Sequence, residues 1–216
     1  MKKFAVILSG CGVFDGSEIH ETTLTLLAIV KHNCEYEIFA PDIEQHHVIN
    51  HITGEVMNEK RNVLIESARI ARGKIKNISK LNVDDFDAII FPGGFGVSKN
   101  LSTYAFDGHK MKVIPEVENL IKKMVEIKKP IAAMCISPVL LAKVIKDVAL
   151  TIGQDDDTIV DLQKMGAGHI KTNSAEVVID RSKKIVSTPC YMLDVDINQI
   201  ALSADKVIKT LLDLIE

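Results

Sequence analysis

Pro130-Ile131-Ala132-Ala133-Met134-Cys135-Ile136-Ser137-Pro138-Val139-Leu140-Leu141-Ala142 is the stretch whose reading decides the fold. Residues 130–134 form a short apolar run of strand length. Residues 138–145 read as a helix, with Ser137 as its cap and Pro138 in the first turn, where a missing N–H costs nothing. One residue, Cys135, stands between the two. A nucleophile on so sharp a strand-to-helix turn needs small neighbours two positions away on either side, and Ala133 and Ser137 supply them. The helix that follows turns N–H groups and a positive dipole end toward the sulfur, a field that favours thiolate. From this stretch alone, Cys135 is expected to be a reactive thiol of lowered pKa.

Working outward, the same alternation recurs. Residues 4–8 and 88–91 are continuous apolar runs, as expected of strands buried on both faces of a parallel sheet, and residues 36–40 read as another strand, closed by Pro41-Asp42. Val177 to Ile179 and Ile185 to Thr188 read as further strands. Helical spacing appears around Leu24, Leu27, Ala28 and Val30, then over residues 62–71, 117–125 and 197–215. Residues 43–60 are polar and read as an excursion over the surface. The predicted fold is therefore α/β, a mainly parallel sheet with helices on both faces, in one domain spanning residues 1–216. No internal repeat or linker interrupts it.

Bulk properties exclude several function classes. The 216 residues carry 26 basic and 29 acidic side chains, a net charge of −3 without a basic stripe, so neither nucleic acid nor membrane is an expected partner. The apolar run after Lys2-Lys3 is too short for a signal peptide or a membrane span. Cys11, Cys34, Cys135 and Cys190 show no zinc-ligand spacing, and a cytoplasmic protein with reduced thiols is expected, the alternative being an organellar matrix after removal of a leader. His46, His47 and His51 lack the companions of a metal site. No metal and no cofactor are expected. The loop from Gly10 to Gly16 has Asp15 where a dinucleotide fingerprint needs glycine.

Ligands of open parallel sheets bind beyond the carboxyl ends of the strands. Three such ends matter here: residues 9–16, Pro92 to Gly96, and Cys135 to Pro138. The N–H groups of Gly93, Gly94 and Ile136 are candidates for an oxyanion hole. Glu18, near the start of the first helix, is the candidate carboxyl beside the cysteine. His20, His109 and His169 are candidate bases, with nothing in the sequence to choose among them.

These residues resemble the ThiJ/PfpI superfamily, which shares its fold with class I glutamine amidotransferases. The similarity is strongest to the ElbB-type subgroup, described as isoprenoid-biosynthesis or amidotransferase-like proteins. It runs along nearly the whole chain through residues 6–13, 15–21, 62–66, 92–96 and 134–136. The resemblance implies a flavodoxin-like three-layer sandwich, a homodimer, and glutathione-independent glyoxalase chemistry on a small dicarbonyl, glyoxal plus water giving glycolate, related to deglycation. It also implies Cys135 as nucleophile and Glu18 as the carboxylate that tunes it. Two departures bear on activity. Intracellular proteases of the superfamily carry histidine after the cysteine, where this chain has Ile136, and glutaminases carry a His-x-Glu tripeptide that this chain lacks. The rival readings are a redox or carbonyl-stress sensor built on the same thiol, and a non-catalytic scaffold.

Overall fold

Apolar residues alternate between two cores along every central strand, which is what a sheet covered on both faces demands. In the computed structural model, which describes residues 1–215, Ala5, Ile7, Ile89, Phe91, Ile131 and Ala133 point into one core. Phe4, Val6, Leu8, Ile90, Ala132 and Met134 point into the other.

In chain order the elements are β1 (Lys3–Ile7), α1 (Ile19–Lys31), β2 (Glu35–Ala40), α2 (Val63–Ile70), β3 (Lys76–Asn77), β4 (Ala88–Phe91), α3 (Phe95–Lys99), α4 (Tyr104–Asp107), α5 (Pro115–Glu126), β5 (Ile131–Met134) and α6 (Pro138–Val144). They continue with β6 (Ala149–Leu150), α7 (Asp156–Lys164), β7 (Gly168–His169), β8 (Val178–Asp180), β9 (Ile185–Thr188) and α8 (Ile197–Ile215). The main sheet has seven strands in the order β3-β2-β1-β4-β5-β9-β8. All its pairs are parallel except β8 with β9, a hairpin on the edge. β6 and β7 form a small parallel pair of their own. Helices α5, α6 and α7 cover one face, and α1, α2 and α8 cover the other. The architecture is the mainly parallel, flavodoxin-like sandwich expected. No helix among the described residues is long and apolar enough to cross a membrane.

Two local expectations change. Ser137 precedes α6, but its hydroxyl does not cap the helix; it donates instead to the carbonyl of Pro92 at 2.7 Å, tying the cysteine turn to the end of β4. On α1 the apolar Leu27 and Val30 are exposed, while Glu21, Thr22, Thr25, Ala28 and Ile29 are buried. The buried stripe of this helix is thus partly polar, and of the apolar residues that mark its spacing only Leu24 and Ala28 pack inward.

Candidate active site

Three strand ends meet, and backbone hydrogen bonds hold them together. The loop after β1 is folded on itself by Gly16 N donating to Gly12 O and Gly12 N donating to Ser17 O. It then grips the loop after β4: Glu18 N donates to Gly93 O at 2.9 Å, Phe95 N to Val13 O at 2.8 Å, and Gly96 N to Gly16 O at 2.8 Å. Gly94, at φ 100°, lies so close to this loop that a Cβ there would stand 2.4 Å from Glu18 N and from Gly16 O. Glycine is required at that crossing for both conformation and space.

Cys135 sits at the third end. Its φ is 58°, a left-handed conformation that costs a residue with a side chain and that seven other non-glycine residues described also hold, Cys190 among them. Strand order explains how the strain is kept: Cys135 N donates to Thr188 O at 2.9 Å, so β9 clamps the turn from one side. Ser137 clamps it from the other. The residue is 8% exposed, enough for its sulfur to reach a cavity.

The carboxyl that meets this sulfur belongs to Glu21, not Glu18. Glu18 is the N-cap of α1; its Oε2 accepts from Glu21 N at 2.7 Å, and its side chain lines the cavity. Glu21, one helical turn further on, falls on the buried stripe and is 0% exposed. Its Oε2 accepts from Gly93 N at 2.8 Å, its Oε1 from Tyr191 N at 3.3 Å, and it hydrogen-bonds the Cys135 side chain. Burial, seconded by the nearby Glu18 charge, pushes the Glu21 pKa up to about 7.

Burial, and then the Glu21 carboxyl, push the Cys135 thiol well above its ordinary value. The N–H groups of Gly94 and Ile136 pull the other way, as the helix-end argument requires, but they lose. The expected lowering is therefore overturned: desolvation in this turn outweighs the field of two N–H donors. Thiol and carboxyl lie side by side, and burial raises the pKa of both.

The proposed oxyanion donors divide in the same way. Gly94 and Ile136 N–H groups face the sulfur. Gly93 N–H is engaged by Glu21, so Gly93 serves the carboxyl instead of an oxyanion. Its missing side chain matters all the same, because a Cβ there would lie 2.3 Å from Cys135 Cβ and 2.6 Å from Glu21 Oε2.

Of the candidate bases, His20 is exposed at the rim, with Nδ1 2.9 Å from the hydroxyl of Tyr191, which lines the cavity. His109 lies beside Asp161 at 3.5 Å, and His169 Nε2 accepts from Ile152 N at 3.2 Å. Neither lines the cavity over Cys135. His46 and His47 stack with Phe106, and His51 Nε2 accepts from Phe14 N. No group of three or more His, Cys, Asp or Glu suited to a metal occurs among the described residues.

The cavity itself holds about 500 Å³, within the range of small-molecule sites. Phe95, Tyr104, Phe106, Ile136 and Met192 give it apolar walls. Sequence reasoning missed Glu21, Lys99 and Tyr191. For Glu21 a signal existed, since positions 18, 21, 22, 25, 28 and 29 form one helical stripe.

A strained cysteine on a strand-to-helix turn, paired with a buried glutamate in this flavodoxin-like sheet, defines a class. The profile of the DJ-1/PfpI family matches residues 12–182, and the chain belongs to that family. Within it, the chain is 45% identical to the rat "ES1 protein homolog, mitochondrial" over 98% of this chain and 84% of that protein. It is 42% identical to the human "Glutamine amidotransferase-like class 1 domain-containing protein 3, mitochondrial" over 98% of this chain and 83% of that one. Among solved structures, an isoprenoid biosynthesis protein with an amidotransferase-like domain from Ehrlichia chaffeensis superposes with a TM-score of 0.93 at 37% identity, covering all of both chains.

Proposed function

We propose that the chain is a cysteine-dependent glyoxalase-type enzyme that converts glyoxal and water to glycolate without glutathione. The observation that carries this reading is the Cys135–Glu21 pair, opening on a cavity with apolar walls. Membership of a family that includes proteases and glyoxalases supports it. Ile136 in the place of a protease histidine favours the second of these.

A thiol of raised pKa needs a base at the moment of attack. Glu21, with a pKa about 7, takes the Cys135 proton as the sulfur bonds to one aldehyde carbon. The former carbonyl oxygen, now bearing charge, is held by the N–H groups of Gly94 and Ile136. Protonated Glu21 returns the proton and the hemithioacetal forms. Removal of its carbon-bound proton and reprotonation at the neighbouring carbon, through an enediol, leave a thioester. Water then cleaves the thioester, releasing glycolate and the thiol. One water is consumed and no electron acceptor is needed, because one carbon is oxidised while its neighbour is reduced.

The proposed assembly is a homodimer, supported by exposed Ile19, Leu27 and Val30 along α1. The proposed setting is cytoplasmic, on the four unpaired cysteines; the two mammalian relatives are named as mitochondrial. The test is direct. The purified chain, freed of glutathione, is expected to produce one glycolate per glyoxal consumed. Loss of glyoxal without glycolate would sink the proposal, because it would indicate simple thiol trapping.

A further inference from the structure

The cavity over Cys135 contains one cation. Lys99, the last residue of α3, lines it, and its ammonium donates to the carbonyl of Phe14 at 2.8 Å while lying 5.4 Å from the centre of the Phe95 ring. An ammonium has three N–H donors, so two are left over. None of the ion pairs among the described residues includes Lys99. The side chain is half-buried beside apolar walls, where a charge without a counter-ion is costly. Burial lowers its pKa, and the Asp15 carboxylate, which forms no ion pair with it, offsets this only in part.

The cavity is also far too large for a two-carbon dicarbonyl alone. We propose that Lys99 recognises a carboxylate at the far end of the substrate, so that the preferred substrate is a 1,2-dicarbonyl with an apolar linker and a terminal carboxylate. A carboxylate suits the site better than a phosphate dianion, since a single lysine supplies one positive charge and Glu18 lines the same cavity. The substrate class rests on the glyoxalase reading, but anion recognition by Lys99 can be tested without it.

The first arm uses alkylation of Cys135, followed by peptide mass spectrometry, with iodoacetate and iodoacetamide, reagents that differ in charge. The rate ratio of iodoacetate to iodoacetamide is expected to fall about tenfold in Lys99→Met and to be retained in Lys99→Arg, as for loss of one charge-assisted contact. The second arm compares kcat/KM for 4,5-dioxopentanoate with that for neutral 2-oxopentanal, and the ratio is expected to fall similarly. If neither compound turns over while the alkylation ratio still drops, the substrate class is overturned and the anion site stands; glycolate production from glyoxal by the same preparation then shows whether the glyoxalase reading falls with it. An alkylation ratio unmoved by Lys99→Met overturns the anion site, whatever the turnover.

Discussion

Cys135→Ala is expected to reduce glyoxal turnover by about 10⁴-fold or more, because it deletes the atom that bonds to substrate. The change should leave the fold in place. Alanine is smaller than cysteine, and the turn it must occupy is held by Thr188 O and by the Ser137–Pro92 contact, not by the sulfur. A left-handed φ costs alanine roughly 1–2 kcal/mol, as it already costs cysteine. Steady-state kinetics together with a thermal melt separate lost chemistry from lost structure. Turnover surviving in a folded Cys135→Ala protein would remove Cys135 from the reaction.

Glu21→Gln tests the other half of the pair. The amide cannot accept the thiol proton, so kcat/KM is expected to drop by about 10²- to 10⁴-fold, the usual reach of a positioned base. The pH dependence carries a sign. Glu21 must be ionised to act, and its pKa is about 7, so wild-type kcat/KM should rise with pH through neutrality. Glu21→Gln should lack that limb. Glu18→Gln should keep it and move it to lower pH, since the Glu18 charge is one cause of the raised Glu21 value. A pH-rate profile on the three proteins distinguishes the two glutamates. If Glu18→Gln instead erased the limb, the base would be Glu18.

Much of this architecture was legible before any coordinates. The runs at 4–8, 88–91 and 130–134 are apolar at every position because both faces of a central parallel strand are covered, and that pattern survives in sequence. The cysteine turn was legible for the same local reason: small residues flank a nucleophile between strand and helix. The carboxyl partner was not. Glu18 and Glu21 are three residues apart, and the apolar spacing of the helix mixes Leu27 and Val30, which face solvent, with Leu24 and Ala28, which pack inward. Packing of α1 against α8 buries Ala28 and Ile29 and carries Glu21 inward with them. The stripe 18, 21, 22, 25, 28 and 29 is helical in spacing but largely polar, so only the neighbouring helix shows that it is the buried one. Lys99 was hidden for a related reason, because the short α3 enters the cavity wall only once Val13 and Gly16 hold its first turn.

The sign of the Cys135 shift was also beyond reach of local reasoning. Helix-end N–H groups can be counted from sequence, and two of them do face the sulfur. Desolvation depends on how many distant residues close over the turn, and here β9 and α1 both do. Burial wins, and the thiol pKa is raised.

Carbon-13 NMR titration of the Glu21 side-chain carboxyl addresses the Cys135–Glu21 pair most directly. The account expects a midpoint near 7 that moves upward in Cys135→Ala, because the thiol hydrogen bond favours the ionised carboxyl. A midpoint near the ordinary glutamate value of about 4.3, unmoved by loss of the sulfur, would contradict it.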